Sequence, residues 1–411
     1  MWGNMPSPKP KLLNNQDLIR ASAKSISPEA IAQALLWVRG EAPFPYPTSI
    51  HLDLTLRCTA HCIHCRQWTW PKHSEFSIEQ LERLFSIFQT WGLHTVTFGG
   101  GNPLLHEHFC AALRIAHDNN IKFGIISEGI DMSDEMADEI CKYANWMRFS
   151  LDGSTPDIHD FIRNTPGLFN KVVQSILKLQ SRNSSLSLGI NCIVQKNNLH
   201  CLSELIDLGS QLNLDAVLFK VPHGKDPLGH YLPTEEEWKN FVEWVHQAKD
   251  SNVGRSKTNL LQLSNLLDCV FQEEDVIKGK PVKTFYKNDL VHCFAPLFFL
   301  TCDSEGNMYP CDYLQADTRA WKGKYGRMRN EFCLGNLLED HEKVLKKLDM
   351  MLRHRIHELP ANGYEECGCC TRFCQLNAAL THLEQQLQNS EITNSIITGV
   401  LGSKPSEYPF L

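Results

Sequence analysis

Between residues 48 and 250 the chain alternates six times between a short apolar, β-rich run and a longer amphipathic one, an order few folds can satisfy. The strand-like runs are "SIHLDLTL", "HTVTFGG", "IKFGIIS", "WMRFSLDG", "LSLGINCIV" and "AVLFKV". The helix-like runs that follow them are "SIEQLERLFSIFQTW", "HFCAALRIAHDNN", "DEMADEICKYA", "NKVVQSILKLQ", "LSELIDLGSQL" and "EEEWKNFVEWVHQ". Six βα units in series predict a parallel sheet with helices outside it, either open or wound into a partial barrel. Chemistry in such folds sits at the C-terminal ends of the strands.

Around this core lie three further segments. Residues 1–47 form an N-terminal extension with one helix, "SPEAIAQALLWVRG", for which Ser27 is the expected N-cap, Pro28 the first helical residue and Gly40 the residue past the end. Residues 251–290 read as a polar connector with one helix. Residues 291–411 are cysteine-rich and loop-rich, and close on the helical stretch "QLNAALTHLEQQLQ". A segment with so little regular core is expected to need metal to hold it together.

A net charge of −7 argues against a general nucleic-acid binder. The first residues, "MWGNMPSPKPKLL", have no apolar signal region, and no stretch of about 18 uninterrupted apolar residues occurs. The expectation is a cytoplasmic protein with no membrane span. Sixteen cysteines are then an anomaly. Cys110, Cys141, Cys192, Cys201 and Cys269 are scattered through helix and strand patterns and read as small buried hydrophobes. The others concentrate in two places, at Cys58, Cys62 and Cys65, and at Cys293, Cys302, Cys311, Cys333, Cys367, Cys369, Cys370 and Cys374. In a reducing compartment such clusters signify metal or iron–sulfur ligation rather than disulfides.

The first cluster, "CTAHCIHC", immediately follows the first strand, at the chemical edge of the sheet. A structural zinc site built from the three thiols and His61 or His64 is one reading, but structural zinc loops rarely occupy that edge. A [4Fe–4S] cubane takes four cysteines when fully ligated. Three leave one iron open, by the logic that keeps a vacant position in catalytic metal sites.

The spacing C-x3-C-x-aromatic-C after strand one resembles the radical S-adenosylmethionine (radical SAM) superfamily, with His64 as the aromatic ring. The resemblance implies an α/β fold, a partial (βα)6 TIM-like barrel. It also implies that the cluster held by Cys58, Cys62 and Cys65 binds S-adenosylmethionine at its open iron and generates a 5′-deoxyadenosyl radical. "TFGGGNPLL" resembles the family's GGEP motif, with Gly100, Gly101 and Asn102 as cofactor contacts; Asn102 departs from the usual Glu and supplies no charge. By the same resemblance Ser127 and Glu128 on strand three, Ser150 on strand four and Arg163 beyond it contact the cofactor. Asp152 lies near the substrate. The residues that act as acid or base are not identified.

In the second field, Cys293, Gly306 and Cys311 form C-x12-G-x4-C, which resembles the opening of SPASM and twitch extensions of radical SAM enzymes. The resemblance implies a small cysteine-rich SPASM/twitch domain with at least one auxiliary [4Fe–4S] cluster. Its ligands would be Cys293 and Cys311, with two more from Cys367, Cys370 and Cys374. The pattern is truncated relative to a full SPASM domain, and a second cluster would need Cys302, Cys333 and Cys369.

Relatives with this two-part layout mostly modify peptides, so the expected function is oxidation or crosslinking of a peptide side chain. The alternative is a dehydrogenase, decarboxylase or epimerase of a small molecule such as an aminosugar or nucleoside. A more distant one is a non-catalytic metal-binding or electron-transfer protein. Implied partners are a flavodoxin- or ferredoxin-type electron donor and a separate peptide-recognition protein, because the extension before residue 48 is short for that role. The basic loop "RAWKGKYGRMR" is a candidate grip for an acidic leader peptide.

Overall fold

The computed structural model describes residues 28–38, 40–65, 75–129, 132–182, 185–220, 230–248, 257–260, 295–311 and 333–353. The chain groups into two compact units: residues 1–45, 262–294 and 355–411 form one, Tyr46–Leu261 and Ala295–His354 the other. In the first unit the described residues are helix α1 (Pro28–Val38) and the turn after it, where Trp37 meets Phe44 edge-on at 5.5 Å. The expected cap Ser27 lies outside the described residues, as does the helical stretch at 375–388.

The second unit is built on a ten-stranded sheet. Strands β1 (Ser49–Thr55), β2 (Thr95–Gly100), β3 (Lys122–Ser127), β4 (Trp146–Ser150), β5 (Ser187–Ile193) and β6 (Ala216–Lys220) lie side by side in chain order, all parallel. Helices α2 (Ile78–Thr90), α3 (Phe109–Asp118), α4 (Asp134–Tyr143), α5 (Pro156–Arg163), α6 (Leu168–Gln180), α7 (Leu202–Gln211) and α8 (Glu235–Ala248) make the connections and follow β6. This is the α/β arrangement expected from the alternating pattern. The short α5 is an addition to it, started by Pro156 and ended at Asn164, whose φ of 48° stops the helix.

The two-residue strand β7 (Lys257–Thr258) continues the parallel order beyond β6. On the far side of β1 come β8 (Phe299–Cys302), parallel to it, then β9 (Asn307–Tyr309), antiparallel to β8, and β10 (Gly335–Asn336), antiparallel to β9, and helix α9 (Leu337–Arg353). Residues 295–311 and 333–353 therefore carry more regular structure than a loop-rich segment suggests. Register gives the reason: Leu300 and Cys302 stand opposite Ile50 and Leu52, so β8 covers an apolar edge that β1 would otherwise leave open.

Local chemistry fixes the helices. Ser77 accepts from the Gln80 backbone while the Gln80 side chain accepts from the Ser77 backbone, closing a capping box at the start of α2. Leu81, Leu84, Phe85 and Phe88 then form one buried stripe. Phe85 packs on Phe98 at 6.1 Å, and Phe98 on Phe123 at 5.4 Å. Each such ring contributes about 1.5–3 kcal/mol by leaving water.

The same contacts assign the faces of the sheet. Leu52, Phe98, Ile125, Met147, Ile190 and Val217 line the helix-packed side. Alternation then puts His51, Asp53, Thr97, Arg148, Ser150, Asn191 and Thr301 on the other. That second face is polar, whereas the interior of a packed barrel is normally filled by branched apolar side chains. Among the described residues, no helix is long and apolar enough to cross a membrane.

Candidate active site at the three-cysteine loop

The cysteine loop leaves the C-terminal end of β1 and is gripped from three directions. The first grip is the turn after β2. Gly101 N–H donates to Thr55 O (2.8 Å) and Asn102 N–H to Arg57 O (2.7 Å). Gly100 has φ +102°, and a Cβ there would collide with Thr55 O; one at Gly101 would collide with the Arg57 carbonyl. Only glycine lets this turn lie against the base of the loop.

The second grip is Glu128, just past β3. Its Oε1 accepts from Thr59 N (3.0 Å), Thr59 Oγ1 (2.9 Å) and Asn102 Nδ2 (3.2 Å). Its Oε2 accepts from Ala60 N (2.9 Å) and from the Cys58 thiol (3.1 Å). Ser127 donates to Asn102 Oδ1 at 3.0 Å, which fixes the amide so that its Nδ2 faces the carboxylate. A buried carboxylate is tolerated here because donors saturate it. Burial, and then the Glu128 charge, push the Cys58 thiol well above its ordinary value.

The third grip is the end of α5. His61 N–H donates to Arg163 O (3.2 Å) and Ile63 N–H to Ile162 O (3.0 Å). The Arg163 side chain turns back under the loop: Nη1 lies 3.5 Å from Cys62 Sγ, and Nε lies 2.7 Å from Asp152 Oδ2. The Nε–H does not point along that second line, so the link is an ion pair rather than an aligned hydrogen bond. Burial works against the guanidinium charge, but Asp152 and the Cys62 sulfur hold it above its ordinary value. Burial also pushes the Cys62 thiol up, which Arg163 opposes.

Asp152 is fully buried. Its Oδ1 accepts from Ile193 N (2.7 Å), its carbonyl from Asn198 Nδ2 (2.9 Å), and its own N–H donates to His159 Nδ1 (3.1 Å). His64, next to the third thiol, has Nδ1 3.2 Å from Gln195 Nε2 and an edge-on contact with Tyr231. Burial lowers the His64 pKa to about 4, so the ring is neutral.

Gly100, Gly101, Asn102, Ser127 and Glu128 thus converge on the Cys58 side of the loop, and Arg163 and Asp152 on the Cys62 side. Ser150 ends the neighbouring strand, opposite Asn191. Cys311 ends the β9 hairpin, and Cys293, Cys367, Cys370 and Cys374 lie outside the described residues, as does the basic loop at 319–329. His51, Asp53, Asn191 and Thr301 were not singled out from the sequence. His51 Nε2 lies 3.3 Å from Asp53 Oδ1, over Gly99, and Asn191 Oδ1 and Thr301 Oγ1 are buried without a hydrogen-bond partner. The signal for His51 and Asp53 was the alternation in "SIHLDLT", polar at every second residue.

The donor set suits a cluster larger than one ion. Among the described residues no three His, Cys, Asp or Glu side chains converge on a point that a single metal ion could fill. Three thiols on one short loop, one of them beside a buried guanidinium, are the ligand type that an iron–sulfur cluster takes.

Residues 52–209 match the family model described as the Radical SAM superfamily. The chain is similar to the AdoMet-dependent heme synthase of Oleidesulfovibrio alaskensis, with 25% identity over 276 residues, covering 64% of this chain and 69% of the relative. It is also similar to the mycofactocin maturase MftC of Mycobacterium tuberculosis, with 22% identity over 336 residues, covering 80% and 76%. Among solved structures it shares its fold with Streptococcus suis SuiB bound to S-adenosylmethionine, at a TM-score of 0.52 and 14% identity. That match covers 70% of this chain and spans 66% of the SuiB chain.

Proposed function

We propose that the protein is a radical SAM enzyme that oxidises or crosslinks a peptide side chain. The observation that carries this is the three-thiol loop at the C-terminal end of β1, gripped by β2, β3 and α5. When bound, a [4Fe–4S] cluster with one open iron would supply the electron that breaks S-adenosylmethionine into methionine and a 5′-deoxyadenosyl radical, which removes a hydrogen atom from the substrate. The chain's own part is to hold and orient. Cys58, Cys62 and Cys65 ligate, Glu128 and the α5 carbonyls fix the loop, and the Gly100–Gly101 turn lets the backbone approach closely. Gly100, Gly101, Asn102, Ser127, Glu128, Ser150 and Arg163 line the cofactor side, and Asp152 lies near the substrate.

The peptide reading is supported by the similarity to MftC, named as a maturase, and by the fold shared with SuiB, also solved bound to its precursor peptide SuiA. The polar second face of the sheet suits a substrate with hydrogen-bonding groups. An auxiliary [4Fe–4S] cluster in a SPASM/twitch-type domain, held by Cys293, Cys311 and two of Cys367, Cys370 and Cys374, would accept the electron that the substrate radical must lose. Similarity to a heme synthase, named for a small-molecule product, favours the second reading, oxidation or decarboxylation of a small molecule.

The two are separated by incubating reduced protein and S-adenosylmethionine with short peptides encoded beside its gene. Loss of two hydrogens from a peptide supports the first reading. Turnover only with a small molecule supports the second. Cys311→Ala should still form 5′-deoxyadenosine but lose product; normal product from that variant would exclude the electron-accepting role.

A further inference from the structure

Arg163 is a charged side chain in a place where charge is expensive. It is 7% exposed, sits beneath the loop and has one carboxylate partner, Asp152, which is itself completely enclosed. Removing a guanidinium from water costs several kcal/mol unless its donors are met. Asp152 meets the charge at Nε, and its other oxygen is held by the Ile193 backbone. The ion pair holds the guanidinium beside Asp152 with Nη1 directed at Cys62 Sγ, 3.5 Å away. The loop does not need this side chain for its backbone path, because His61 and Ile63 bond to the main-chain carbonyls of Arg163 and Ile162.

We infer that Arg163 is a positioning residue whose guanidinium, oriented by Asp152, donates to the Cys62 sulfur and sets the reduction potential of the cluster on that loop. Hydrogen bonds to cluster sulfurs and nearby positive charge both make a cluster easier to reduce. When Cys62 ligates iron as a thiolate, the Nη1–H···S contact becomes charge-assisted and stronger. Because guanidinium does not deprotonate in proteins, the contact holds at any working pH. The inference rests on the radical SAM reading and differs from a direct contact between Arg163 and the cofactor carboxylate.

The test is a redox titration of the anaerobically reconstituted full chain, followed by electron paramagnetic resonance, in wild type, Arg163→Gln and Arg163→Lys. The signal that changes on adding S-adenosylmethionine identifies the cluster at Cys58–Cys65; if no signal changes in wild type, the radical SAM reading fails rather than this one. The expected result is a midpoint moved to more negative potential in Arg163→Gln and a smaller move the same way in Arg163→Lys. A wild-type midpoint with affinity weakened tenfold or more would overturn the inference and make Arg163 a cofactor contact. Where Arg163→Gln fails to retain iron, Arg163→Lys decides: a negative shift upholds the inference and an unshifted midpoint overturns it.

Discussion

The cysteine loop after β1 and the β8–β9 hairpin both carry thiols, yet they are held in opposite ways. The hairpin's turn is closed largely by its own residues. Asp303 accepts from the backbone of Glu305 and Asn307, from the Asn307 amide and from Tyr309, all within a few residues, and Gly306 at φ +88° makes the turn. Its Cys302 faces the helices, opposite Leu52, with no exposed surface. The cysteine loop is specified from far away instead, by Glu128, 70 residues downstream of Cys58, and by Arg163, 101 residues downstream of Cys62. Local turn chemistry suffices for a structural hairpin. The cysteine loop's polar groups are met instead by neighbouring elements, the Glu128 carboxylate and the Ile162 and Arg163 carbonyls.

The largest effect should follow from removing a thiol of the loop. Cys58→Ala, Cys62→Ala or Cys65→Ala should each abolish the S-adenosylmethionine-responsive paramagnetic signal. Each should also lower iron by about four per chain while iron elsewhere stays bound. A variant that keeps the signal would erase the distinction between the two regions.

Next comes Glu128. Glu128→Ala strands the buried N–H group of Ala60 and removes the partner of the exposed Thr59, at a cost of about 1–3 kcal/mol to the loop, whereas Glu128→Gln keeps an acceptor and costs less. Iron loss to a chelator should therefore be fastest in the Ala variant, intermediate in Gln and slowest in wild type. Equal rates in all three, with weakened cofactor binding, would make Glu128 a ligand contact and not a clamp.

The smallest effect belongs to the hairpin. Cys302→Ala should cost about 1 kcal/mol of stability through the small cavity it leaves, read from chemical denaturation, with iron content and spectra unchanged. Loss of iron would move Cys302 from the core to the ligand set.

Much of this was legible in the chain itself. Six apolar runs separated by amphipathic ones gave the strands and their order, because parallel βα units leave little topological freedom. The three thiols were visible from spacing. The grip of Glu128 and the Arg163–Asp152–Cys62 chain were not, since nothing local in "IISEG" or "DFIRNTP" shows which atoms they meet. Helix α5 escaped notice as eight residues with few apolar positions, and β8 as a four-residue run between cysteines whose pairing with β1 spans some 250 residues. The polar second face was written in "SIHLDLT", but reading it requires knowing which side the helices cover.

The central claim is that the gripped loop presents three thiols to a cluster with one open iron. Its most direct test is to incubate the anaerobically reconstituted, dithionite-reduced protein with S-adenosylmethionine and measure 5′-deoxyadenosine by liquid chromatography. The account predicts 5′-deoxyadenosine and methionine in equal amounts from wild type and none from Cys62→Ala. No 5′-deoxyadenosine from wild type carrying its full iron content would contradict it.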